Sequence, residues 1–150
     1  MGKNLKKRIA WNKGIKSSEI EKKKIGIGMR GIFNFVKDKK TKSILVRDFA
    51  YAEICREKSM SKPAIILYGS IIEEVLRYKL NSKAKFSSLI DKFKEKKGLD
   101  PSLIRKIDFI KDFRDYVHIF LEKQGNFEPT EGIASVAGET CKAVCEKFRN

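Results

Sequence analysis

Thirteen of the first 40 residues are Lys or Arg and three are Asp or Glu, whereas residues 41–150 hold 21 and 16. A cationic stretch of that density neutralises phosphates and releases their counterions, giving affinity for nucleic acid with little reading of base sequence. An anionic membrane surface is the other polyanion such a stretch meets, but residues 1–24 show no amphipathic apolar face. The side chains placed for phosphate contact are Lys13, Lys16, Lys22, Lys23, Lys24 and Arg30. Ser18 and Glu21 have the S-x-x-E spacing of a helix start, whose free N–H groups offer a further phosphate-oxygen site. Trp11, next to Asn12 and ahead of Gly14, either stacks or wedges against nucleic acid or pins this arm to its own domain.

The other candidate chemistry sits far downstream. His118 is the single histidine, four residues after Arg114, with Asp115 between them. On a helix that spacing puts the guanidinium and the imidazole on one face. One histidine excludes multi-histidine zinc sites and the HNH nuclease arrangement, and no GxxxxGK[ST] or GxGxxG run is present to cradle phosphates. No metal, cofactor or small-molecule ligand is expected. Cys141 and Cys145 share a helix face, but with one histidine in the chain they lack the ligands for a metal and read as small core residues.

The elements that must position these residues are helical. The expected helices are 43–58, 62–80, 86–97, 101–122 and 131–148, with Asp100 as N-cap of the fourth and Gly98 closing the third. Residues 1–31 form a basic arm with one short helix, in which Gly26 and Gly28 each cost about 1 kcal/mol relative to Ala. Residues 32–42 form a connector whose Ile32, Phe33, Phe35 and Val36 either pack on the body or alternate as a short strand. The fold class is all-α: a four- to five-helix bundle over residues 43–150. Three cysteines fit a reducing compartment, and the most apolar stretch, 64–72, is far short of a membrane span of roughly 18 residues. Lys6 spoils a myristoylation signal and no apolar signal core follows the basic start, so a cytoplasmic, soluble protein is expected.

In the fourth helix Leu103, Ile107, Ile110, Val117 and Leu121 fall on one stripe, with Arg114 in its middle and His118 at its edge. A permanent charge there is costly without a partner. The stripe of helix 62–80 (Ile65, Tyr68, Gly69, Ile72, Leu76) has Glu73 at its edge, and Gly69 permits close approach of a second helix. An Arg114–Glu73 contact is therefore predicted, or an Arg114 that lies across a subunit interface. The flanking aromatics Phe109, Phe113, Tyr116 and Phe120 widen the buried face, which predicts that this helix is central or half covered by a second chain.

Two resemblances follow from these residues. Residues 9–31, with Trp11-Asn12-Lys13-Gly14, Ser17/Ser18-Glu19, Lys23-Lys24-Ile25 and Arg30-Gly31, resemble the nuclease-associated modular DNA-binding motif, an accessory segment of homing endonucleases. That resemblance implies a short helix in the minor groove and flanking residues on the backbone, in a DNA-binding protein of a phage or mobile element. Gly26 and Gly28 depart from it, and neither nuclease catalytic set that accompanies the motif is present. The order AIILYGSIIEEVLRYKL, a helical hairpin, FRDYVHIFLE and a last helix is similar to the HEPN-like helical superfamily. That resemblance implies a homodimer. In its metal-independent endoribonuclease members, toxins or anti-phage effectors, paired Arg and His residues act across the dimer. Here it would give catalytic roles to Arg114, His118 and Asp115, supported by Glu73. The Arg-x-x-x-His gap is one residue short of the family pattern and resembles the non-catalytic relatives as much as the nucleases.

Overall fold

The structure, a computed structural model, describes residues 31–116, 123–124 and 128–149. The fold is all-α, and the described residues include five helices that we number α1 (Lys39–Glu57), α2 (Ser61–Lys79), α3 (Phe86–Lys94), α4 (Pro101–Tyr116) and α5 (Glu131–Arg149). No strand occurs among the described residues. The expected bundle holds, with local differences that have physical causes.

α1 starts four residues earlier than its apolar period suggests. Asp38 caps it, its Oδ2 accepting the Thr41 N–H at 2.7 Å, so the helix begins inside a lysine-rich run before any apolar residue needs burial. That bond holds the exposed Asp38 carboxyl below its usual pKa. α3 ends at Lys94, short of residue 97, because Glu95, Lys96 and Lys97 are exposed and bury nothing; Gly98 then turns the chain at φ +79°. Asp100 caps α4 as expected, accepting the Ser102 N–H at 2.8 Å. α1 and α2 each close in a left-handed turn, at Ser59 (φ 57°) and Asn81 (φ 47°). In each turn the next residue's N–H reaches back five residues: Met60 to the Cys55 carbonyl and Ser82 to the Arg77 carbonyl.

The connector packs on the body and forms no strand. Phe33 and Val36 are buried, and Phe33 meets Phe49 edge-on with ring centroids 6.0 Å apart. The Lys37 N–H donates to Tyr78 Oη at 2.8 Å, tying the connector to the far end of α2.

Among the described residues the central helix is α2, which packs against all four others, so of the two expectations for the fourth helix a central place is not met. Its buried residues Ala64, Ile65, Tyr68, Gly69, Ile71, Ile72, Val75 and Leu76 form one broad continuous face. α4 buries only Leu103, Ile104, Ile107, Ile110 and Phe113 among charged residues. Phe109, expected in its buried flank, is 41% exposed.

Tyr68 is fully buried, and its hydroxyl donates to Glu53 Oε1 across the α1–α2 contact. The second carboxylate oxygen of Glu53 accepts Arg56 Nη2 at 3.0 Å. On the other side of the ring Gly138 of α5 leaves no room for a side chain, since a Cβ there would stand 3.1 Å from Tyr68 Cζ. Burial, then the bond to Glu53, pushes the Tyr68 phenol well above its usual pKa. The unfolded chain therefore loses this proton first, so the stabilisation is complete below about pH 10 and erodes above it. Tyr68→Phe should lower unfolding free energy by about 1–3 kcal/mol in urea titrations at neutral pH and flatten the alkaline limb of stability against pH.

Candidate functional site

The α2–α4 crossing brings together two of the sequence-predicted residues. Gly69 lets α4 approach closely: a Cβ there would lie 3.2 Å from Arg114 Cδ and 3.5 Å from Ile110 Cγ2. Arg114 then runs along α2 and its Nη1 donates to Glu73 Oε2, so the predicted contact forms within one chain. Glu73 is shared. Its Oε1 accepts Arg77 Nη2 at 2.8 Å, and Arg77 Nη1 reaches Glu74 Oε2 at 2.7 Å. The Arg114 guanidinium also stands 5.9 Å from the Phe86 ring centroid, within cation–π range. Hydrogen bonds to Glu74 and then to Glu73 raise the pKa of Arg77, keeping it charged.

Burial separates this network from an ordinary surface pair. The Glu73 side chain is 16% exposed and that of Arg114 31%. Two guanidiniums and two carboxylates balance, which leaves no cation over for an incoming phosphate. The adjoining groove of about 410 Å³ between α1 and α2 is lined by Ile44, Leu45 and Ile71 together with Arg77 and with Asp48, Glu73 and Glu74, whose carboxylates are already paired with arginines. Asp115 is not drawn in: its side chain is 70% exposed and its carboxylate lies 3.9 Å from Lys111 Nζ. His118 falls outside the described residues, as do Trp11, Asn12, Lys13, Lys16, Ser18, Lys22, Lys23, Lys24 and Arg30.

Cys55, Cys141 and Cys145 are buried as core residues, and burial raises the Cys141 thiol pKa, which keeps it protonated and inert. Among the described residues no group of three or more His, Cys, Asp or Glu side chains could hold a metal, and no helix is long and apolar enough to cross a membrane.

Sequence reading missed the Glu53–Tyr68–Arg56 cluster. The available signal was Glu53 itself, which follows Phe49 by four residues on the buried side of α1, together with Leu45 and Ala52. Compared with known protein families, with curated proteins and with solved structures, the chain matches none.

A double-mutant cycle with Glu73→Gln and Arg114→Gln should give a coupling of about 1–3 kcal/mol in urea unfolding, above the roughly 0.2–1 kcal/mol of exposed pairs. A coupling near zero would mean that Arg77 alone holds Glu73.

Proposed function

We propose that this protein binds DNA through its basic N-terminal residues, with the helical bundle as a non-catalytic carrier for dimerisation or protein contact. The observation that carries the reading is how the carboxylates of the body are already used. Asp48 lies against Arg47, Glu53 against Arg56, and Glu73 and Glu74 against Arg77 and Arg114. Lys94 takes Asp91 and Asp108, Lys111 takes Asp112 and Asp115, and Lys142 takes Glu139. These pairs hold nine acids in place, and with 34 Lys and Arg against 19 Asp and Glu in the whole chain the acids that remain cannot neutralise both the 13 basic residues of positions 1–40 and the unpaired cations of the body. An external polyanion is the natural counterpart.

In this reading Lys13, Lys16, Lys22, Lys23, Lys24 and Arg30 contact phosphates, while Trp11, Asn12 and Ser18 shape the segment around the duplex. Six such contacts correspond to about five units in the slope of log affinity against log salt. Mobility-shift titrations at several salt concentrations should show a slope for the full chain that falls by about that amount after deletion of residues 1–30. Equal affinities and slopes for the two would remove the reading.

The rival, metal-independent cleavage of RNA, needs Arg114 free to stabilise a developing phosphorane. Its guanidinium is instead engaged by Glu73 and stacked near Phe86. RNA incubated in EDTA with the wild type and with His118→Ala should stay intact in both; cleavage that disappears with His118→Ala would establish the nuclease.

A further inference from the structure

Lys79 and Lys96 are cations without a carboxylate. Lys79 Nζ lies 5.2 Å from the Phe35 ring centroid and 5.6 Å from that of Phe148, and Lys96 Nζ lies 5.2 Å from the same Phe148 ring. Neither forms an ion pair among the described residues, so two like charges share one aromatic ring, Phe148, with no carboxylate partner among those residues. The rings are held from behind: Phe148 packs on Phe93 at 5.7 Å and on Phe35 at 6.0 Å, which presents both ammoniums at the end of the bundle and limits their rotamers. Asp38, close in sequence to Phe35, is spent on capping α1.

The basic surface continues from there. Lys96 lines a groove of about 420 Å³ with Lys94 and Arg105, the α3–α4 turn forming its floor at Gly98, Leu99 and Pro101. Lys94 is neutralised by Asp108 at 3.2 Å, but Arg105 is exposed and forms no ion pair among the described residues. Phe35 belongs to the turn that begins at Gly31, so the N-terminal segment joins the body beside this surface.

We infer that Lys79, Lys96 and Arg105 form a second phosphate-contacting surface, on the body, along which the backbone of the bound nucleic acid continues beyond the N-terminal segment. The inference rests on the DNA-binding reading and adds where the polyanion goes next. Two cations on the groove, Lys96 and Arg105, with Lys79 beside Lys96 at the Phe148 ring, suit a chain of phosphates better than one compact anion. Phe35 and Phe148 serve to hold the ammoniums, because their faces are already occupied.

The test uses the full chain with a short DNA duplex of arbitrary sequence, in salt titrations of wild type, Lys79→Gln/Lys96→Gln/Arg105→Gln, and Lys22→Gln/Lys23→Gln/Lys24→Gln. Each triple variant should lose close to three units of log–log salt slope, equally for unrelated duplexes. Replacing Lys79, Lys96 and Arg105 together by the opposite cation (Lys→Arg, Arg→Lys) should preserve the slope. If the body variant keeps the wild-type slope while the N-terminal one loses it, this inference falls and the DNA-binding reading stands. Loss in the body variant alone would keep the surface and overturn the N-terminal assignment; a wild type that does not bind would overturn both. Lys79 also lies in the last turn of α2, where a cation favours the helix dipole. A variant whose melting temperature falls while its slope stays would show that role alone and overturn the inference. So would loss of binding to vesicles of anionic lipid with DNA binding unchanged. Should the triple variant fail to fold, Lys96→Gln/Arg105→Gln, both at exposed positions, should lose about two units, and an unchanged slope there would be equally decisive.

Discussion

A carboxylate on the most buried helix of a bundle must be matched, and Glu73 is matched twice. Arg77 approaches from the same helix and Arg114 from α4, each taking one of its oxygens. Removing both cations would leave a charge at a site largely closed to water, which costs far more than a surface pair contributes. The crossing of α2 and α4 is therefore set by chemistry as well as shape: the small Gly69 allows the approach, and the shared carboxylate fixes which part of α4 arrives there. The same arrangement bears on function, because an arginine committed to a neighbour in its own chain is poorly placed to serve a substrate.

The buried polar cluster on the opposite side of α2 follows the same logic. Glu53 is neutralised by Arg56 and receives the Tyr68 hydroxyl, while Gly138 gives the tyrosine ring its space. α1, α2 and α5 thus meet around a phenol that can donate in only one direction. Apolar packing alone tolerates sliding between helices; a hydrogen bond to a fixed acceptor does not.

Much of this was legible in the residues. The helices at 62–80 and 131–148 were placed within a residue of their observed ends, because both have strong apolar periods. The Arg114–Glu73 contact was legible for a similar reason: a guanidinium on an apolar stripe demands an acid, and the facing stripe offered one beside a glycine. The start of α1 was hidden because a single capping aspartate, and no apolar pattern, sets it. The central place of α2 is not visible in the sequence, because the aromatic side chains of the fourth helix point to a wide buried face there by their type. Phe109 shows that type alone does not decide this, since the neighbours on α4 at Arg105, Asp108 and Asp112 keep that side near water. Glu53 was overlooked since an acid in a weakly amphipathic helix looks like surface until its tyrosine partner is in view.

The plug formed by Phe33 and Val36 has a mechanical consequence. Any pull on the chain upstream of Gly31 is borne first by Phe33, seated against Phe49, and by the hydrogen bond from the Lys37 N–H to the Tyr78 hydroxyl. Both lie ahead of α1, so tension is carried sideways into the interior and does not unwind that helix from its capped end. Whatever the first thirty residues hold on to, the load ends in the hydrophobic core.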